Sequence, residues 1–436
     1  MFEKTFCSSP WFHVRLTYDG SYESCRWAKN PERQHQFRNT TIMQYYNSDQ
    51  MKSLRQELLS GESPDLCTSC YYEESFGKLN GRKRQLNKSA IDTNNFALTL
   101  RSSPHYKNFE YSYLNNGTAN LAPVDLQIEL GNTCNSACIM CGPEASSRLE
   151  KDYNTLHNIN TKLFAKPNVS TAWTRDKSLV DQLVDELINI PNIRYIHFLG
   201  GETLYEESFY TICEELIKHD RARDIIVGTT TNGTIYNDRV QNLIDNFKQF
   251  HLGISIESVT ELNDYIRWPG KIDNITANIH KFLDLRKTNN GLYISLRITP
   301  TVFSIYEIDQ LFEFMIANNV IAESCNILYD PACLRVELIP EDIRAEIKQK
   351  LEKLIQDNDL NYNEIVNVRR SDQIDQVTAN VILDYYKFVC NYKLPADAEQ
   401  SRQDLVSFTK SFEKIRGNSI IDHLPRYEKF LRHYGY

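Results

Sequence analysis

The stretch "IELGNTCNSACIMCGPEASSR", residues 128–148, decides how this chain is read. An alternating apolar run, "VDLQIEL" (124–130), feeds straight into a loop that holds Cys134, Cys138 and Cys141. Alternation at period two is the mark of a strand. A strand that opens into a ligand-rich loop is the start of a βα unit if helices and further strands follow. They do. "IRYIHFL" (193–199), "DIIVGTT" (224–230), "HLGISIE" (251–257), "LYISLRI" (292–298) and "ESCNILY" (323–329) read as five more strands. Between them lie helical stretches such as "YEESFYTICEELIKHD" and "DNITANIHKFLDLRK". Strand–helix alternation predicts a parallel sheet. Six units fall short of a closed eight-unit barrel, so the expected fold is α/β, a partial (βα)6 TIM-like barrel over residues 123–340. Residues 142–190 make an oversized first crossover.

On either side the pattern changes. "HVRLTYDGSYES" (13–24) places an Asp-Gly turn between alternating runs, a β-hairpin signal. "NSDQMKSLRQELLSGE" (47–62) has helical spacing, Asn or Ser at its start and Gly61 at its end. Residues 1–90 therefore form a module of their own, and the polar, Asn/Ser-rich residues 91–122 read as a linker. Beyond 340 the chain is helical, with i, i+4 charge pairs in "EDIRAEIKQKLEKLIQ".

The chain has 436 residues and a net charge of −8. The acidic balance argues against a broad nucleic-acid-binding face. No apolar run is long enough to span a bilayer, and the start, "MFEKTFCSSPWF", lacks a signal-peptide pattern. The expectation is a cytoplasmic protein. There thiols stay reduced, and clustered cysteines read as metal ligands before disulfides. Thiolates suit zinc and iron–sulfur clusters. Structural zinc wants four closed ligands, and no fourth cysteine or histidine follows Cys141 nearby. Three cysteines on one loop instead leave one iron of a 4Fe–4S cluster open to a small molecule.

This C-x3-C-x2-C loop after the first strand of a βα barrel resembles the radical SAM superfamily. The resemblance implies that Cys134, Cys138 and Cys141 are the catalytic cluster ligands, and that S-adenosylmethionine is the cofactor. Met140 matches the position set against the adenine. In "LGGET", Gly200, Gly201 and Glu202 match the motif for the methionine amino group; glycines allow close backbone approach and a carboxylate pairs with an ammonium. Ser255 and Glu257 lie where ribose contacts are expected, with Asn232 of "TTNGT" a further candidate. Arg297 in "SLRITPT" is placed to pair with the methionine carboxylate. All stand at carboxyl ends of strands, where barrels put their chemistry. His197, flanked by apolar neighbours, reads as a core histidine.

The second cysteine group is Cys7, Cys25, Cys67 and Cys70. Its Gly20-x4-Cys25 spacing and helix-to-C-x2-C run resemble a twitch domain, half of a SPASM module, set amino-terminal to the barrel. "YIRWPG" and "LYDPACLRVELIP" extend the resemblance to about residue 340. It implies a second, auxiliary 4Fe–4S cluster; four cysteines suit tetrahedral zinc equally well. Cys213 and Cys390 read as core residues. Cys325 and Cys333 flank the last strand, where a packing role stands beside hydrogen-atom donation.

The activity implied is reductive cleavage of S-adenosylmethionine to a 5′-deoxyadenosyl radical that takes hydrogen from a substrate. Similar enzymes mostly modify peptides or proteins, some small carbohydrates, and draw electrons from a donor such as flavodoxin or ferredoxin. Two other readings stay open: an enzyme acting on a small sugar or nucleotide, and a non-catalytic iron–sulfur electron carrier. A carrier has no use for the amino-acid-binding features at Glu202 and Arg297.

Overall fold

The computed structural model describes residues 5–28, 34–75, 82–83, 86, 89, 91, 96–322, 324–361 and 374–436. Its spine is one eight-stranded sheet in the order β2-β1-β3-β4-β5-β6-β7-β8. The strands are β1 (His13–Leu16), β2 (Tyr22–Glu23), β3 (Asp125–Glu129), β4 (Tyr195–Leu199), β5 (Ile226–Thr231), β6 (Gln249–Ser255), β7 (Leu292–Arg297) and β8 (Ile321–Ala322). From β3 to β8 every pairing is parallel. Each crossover is helical: Glu207–Lys218, Asp238–Asn246, Ile272–Thr288 and Ile308–Ala317 follow β4 to β7 in turn. The long first crossover holds two helices, Ser147–Ile159 and Lys177–Asn189.

Alternation sorts the side chains. Leu126, Ile128, Ile196, Phe198, Val227, Phe250, Leu252, Ile254, Ile294 and Leu296 share one face and are buried. On the other face Gln127, His197, Gly228, His251 and Tyr293 lie opposite one another across the ladder. Gly228 is required there, because a Cβ would meet the Tyr195 hydroxyl at 2.2 Å. His197 belongs to this polar row. Burial pushes its pKa down to about 3, so the ring is neutral, with Thr230 Oγ1 at 3.5 Å from Nε2.

The amino-terminal hairpin does not stand apart from the sheet. Its Asp19-Gly20 turn forms as expected, with Gly20 at φ +83°. β1 then runs parallel to β3, and β2 antiparallel to β1. Cys25 therefore leaves the sheet near the amino ends of the parallel strands, whereas Cys134 leaves beyond their carboxyl ends. The helix Asp49–Ser60 is capped by the Ser48 side chain, which accepts from Met51 N, and stops at Gly61, φ +83°.

Two expectations need correction. Residues 91–122, read as a linker, hold the helices Phe96–Ser102 and Tyr106–Leu114 in their described part. Phe109 packs on Phe6 and Trp11, each at 5.2 Å between ring centroids, and Trp11 Nε1 donates to Ser112 Oγ at 2.8 Å. The last strand is Ile321–Ala322, not "ESCNILY"; Glu323 lies outside the described residues, and 324–329 are irregular. Side chains hold that segment instead. Asn326 Nδ2 donates to Ile298 O at 3.0 Å, and Asn326 N donates to the Tyr385 hydroxyl at 3.0 Å.

Past 340 the helices Glu341–Asp357, Ile374–Asn391 and Ala398–Arg416 pack back on the sheet domain. Phe408 and Phe412 sit against Phe164 of the first crossover, at 5.3 and 5.7 Å between centroids. Among the described residues no helix is long and apolar enough to cross a membrane.

Candidate active site

The cysteine loop is held from three directions, two by backbone contacts and one by side chains. Gly201 N donates to Gly131 O at 2.9 Å and Glu202 N to Thr133 O at 2.8 Å, which stitches the end of β4 to the loop. Ala137 N donates to Trp268 O at 2.7 Å and Ile139 N to Ile266 O at 2.9 Å. From the third side Asn232 Nδ2 donates to Asn135 Oδ1 at 2.7 Å and Ser136 Oγ at 3.0 Å. The two glycines are sterically required: a Cβ on Gly201 would lie 2.4 Å from Thr133 O, and one on Gly200 (φ +151°) 2.9 Å from Gly131 O.

Cys134 and Cys138 are buried and Cys141 is half-buried. Cys141, Arg267 and Arg416 favour thiolate at Cys138, whereas Cys138 and burial push the Cys141 thiol up. Burial pushes Cys134 up to about 12. Arg267 Nη1 stands 3.6 Å from Cys138 Sγ, and its Nη2 donates to Glu257 Oε1 at 2.8 Å. Met140 is half-buried between the second and third cysteines.

Glu202 is 1% exposed at the mouth of β4. Its Oε1 accepts from Thr231 Oγ1 at 2.6 Å and Leu204 N at 3.0 Å, and its Oε2 from Asn232 N at 2.6 Å. Burial raises its pKa to about 6 against the pull of these donors. Glu257 is bound at both oxygens, by Arg267 and by Thr299 N at 2.9 Å, and burial lifts it to about 7. Each oxygen of its carboxylate thus accepts one hydrogen bond from the protein. Asn232 likewise devotes its amide to the cysteine loop and Thr234. Ser255 and Arg297 face each other in register at the ends of β6 and β7. Arg297 crosses over Gly253, where a Cβ would meet its Nε at 2.6 Å.

Cys7, Cys25, Cys67 and Cys70, from three separated segments, line one cavity with Ser9, Trp27, Leu66 and Arg82. Burial raises all three of the thiols Cys7, Cys25 and Cys67, the last two to about 11 and 12. Arg82 braces the cavity through Phe6 O at 2.9 Å and Glu74 Oε1 at 2.7 Å. Among the described residues no three His, Cys, Asp or Glu side chains are gathered tightly enough for a single metal ion.

Sequence reasoning missed Arg267 as an individual site residue, and Arg416 altogether. Arg416 closes the helix Ala398–Arg416, and its Nη2 donates to Ala137 O at 2.5 Å, inside the cysteine loop. A buried arginine at a helix end carries no pattern that a linear reading can detect.

A parallel sheet whose strand β3 opens into a braced three-thiol loop, with Glu202 at the end of the adjacent strand β4, makes up the candidate site. Residues 128–300 match the family model described as Radical SAM superfamily. No curated protein matches the chain. Among solved structures it is similar to Streptococcus suis SuiB bound to S-adenosylmethionine, with TM-score 0.36 and 16% identity over 71% of this chain and 64% of that one. It is similar also to anSMEcpe with bound AdoMet, with TM-score 0.37 and 15% identity over 56% and 64%. The chain thus spans under two thirds of the length of either.

Proposed function

We propose that Cys134, Cys138 and Cys141 hold a 4Fe–4S cluster at which S-adenosylmethionine is cleaved, and that the product radical takes hydrogen from a peptide or protein substrate. The observation that carries the reading is the loop itself: three thiols on one braced loop, with two buried guanidiniums beside Cys138 and its neighbour Ala137. That donor set suits an anionic cluster with a vacant corner. When bound, the cluster supplies the electron that breaks the sulfonium bond. The chain's own residues bind and orient. Glu202, fixed by three donors, presents its carboxylate to an ammonium. Arg297 offers a guanidinium to a carboxylate, and Ser255 a hydroxyl to a ribose. Gly200 and Gly201 let the strand end lie flush on the loop, while Asn232 and Glu257 hold Asn135 and Arg267 in place.

For the second group we propose an auxiliary 4Fe–4S cluster on Cys7, Cys25, Cys67 and Cys70. Four thiols around one cavity support it, with tetrahedral zinc the alternative that the same donors would suit. The peptide substrate follows from the likeness of this module to twitch domains. A small polar substrate is the second reading, favoured by the row Gln127, His197, His251 and Tyr293 on the sheet's inner face. The proposed setting is the cytoplasm, with a flavodoxin or ferredoxin as donor.

The test is anaerobic incubation with S-adenosylmethionine and dithionite. 5′-Deoxyadenosine is expected from the wild type and not from Cys138→Ala; equal yields would overturn the reading. Peptide pools that raise the yield above sugars and nucleotides support the first substrate class, and the reverse supports the second. Iron, sulfide and zinc analysis of Cys67→Ala/Cys70→Ala against wild type decides the auxiliary site.

A further inference from the structure

Arg416 reaches the cysteine loop across more of the sequence than any other contact described above. Its side chain is 2% exposed, covered by Phe412 at 4.3 Å and Trp268 at 5.3 Å from Cζ to ring centroid. Nη2 donates to Ala137 O, but Nε and Nη1 are buried without an acceptor. Arg267 shows the same feature: two nitrogens engage Glu257 and Cys138, and Nε is buried without an acceptor. Leaving several N–H donors of two cations unsatisfied beside three thiols is costly unless an anionic acceptor sits among them. Arg416 is ion-paired with Asp152 but keeps two N–H donors free of that pair. The Asp152 Oδ2 stands 3.6 Å from Arg416 Nη2 and itself makes no hydrogen bond.

The two arginines are also tied into one frame. Arg267 follows the short helix Leu262–Ile266, whose Tyr265 hydroxyl donates to Glu413 Oε1 at 3.3 Å, one turn before Arg416. Glu413 is fixed in turn by Ile420 N at 2.6 Å and the Tyr436 hydroxyl at 2.8 Å. The carboxy-terminal residues thus hold both guanidiniums against the loop.

We propose that Arg416, with Arg267, is a positioning and charge-compensating residue for the cluster on Cys134, Cys138 and Cys141, so that the carboxy-terminal helix helps set the cluster's midpoint potential. This rests on the cluster assignment proposed above. A fixed positive charge beside an iron–sulfur centre favours the form with the extra electron, and hydrogen bonds to its sulfurs act in the same direction.

The experiment is an EPR-monitored redox titration of the reconstituted full chain, reading the signal that changes when S-adenosylmethionine is added. Arg416→Gln is expected to shift the midpoint to more negative potential, and Arg416→Lys to stay near wild type. Asp152→Asn removes the opposing charge and is expected to shift it the other way. Arg416→Gln holding its cluster at the wild-type potential would overturn the proposal, as would shifts of the same sign in Arg416→Gln and Asp152→Asn. If Arg416→Gln fails to retain iron, the sign of the Asp152→Asn shift decides. Wild type without iron and sulfide on Cys134, Cys138 and Cys141 would sink the cluster assignment, and this proposal with it.

Discussion

Arg55 is fully buried in the amino-terminal helix, and its guanidinium gathers four oxygens. Nε donates to Pro10 O, Nη1 to Gly117 O and Asn47 Oδ1, and Nη2 to Tyr46 O. Removing it strands several buried acceptors, so Arg55→Leu should cost at least about 3 kcal/mol in denaturant unfolding. Its burial was partly legible: Arg55 follows Met51 by four and precedes Leu58 by three, on the apolar stripe. Charge alone hid it. Glu202 gives a prediction in pH. Its folded pKa is raised to about 6, above the usual carboxylate value, so protonation favours the folded chain. The stability it contributes is full below the unfolded pKa and is lost as pH rises through about 6. Pairing with an ammonium needs the ionised form, so the sign for binding is opposite. Affinity for S-adenosylmethionine, measured by calorimetry, should weaken about tenfold per pH unit below 6. Glu202→Gln should abolish that slope.

At the scale of elements, the strand-end glycines control the loop. Gly201→Ala forces a methyl group against the Thr133 carbonyl and the Asn132 backbone, neither of which can swing aside. A cost of about 1–3 kcal/mol is expected, together with reduced iron uptake, read by thermal unfolding and iron analysis. Unchanged values for both would show the loop to be softer than its contacts imply. Five of the six barrel strands were legible because alternation and burial agree along them. The sixth was not, because "ESCNILY" alternates without pairing: Asn326 and Tyr385 satisfy its backbone in place of a ladder. The helices within 91–122 escaped notice because their polar composition outweighs the few side chains that matter. Phe109 and Ser112 fix that segment by contact with residues about a hundred positions earlier, and no local pattern reports such a contact.

For the whole molecule, one connected apolar core runs from Phe6 to Leu431. Phe412 is where the carboxy-terminal helix, the first crossover and Arg416 meet. Phe412→Ala should cost about 3–5 kcal/mol and loosen the cysteine loop, seen as faster hydrogen exchange over residues 134–141. An effect confined to the carboxy-terminal helix would argue against that coupling. The continuous sheet has a further consequence. Cys25 and Cys134 depart from opposite ends of strands in one ladder, and β3 is five residues long, about 16 Å at the usual rise. On the proposed assignments, an electron passing between the two sulfur-ligated centres crosses a gap whose length is set by hydrogen-bonded backbone. The paired strands hold that distance, so the hop rate is left to follow the potentials of the two centres.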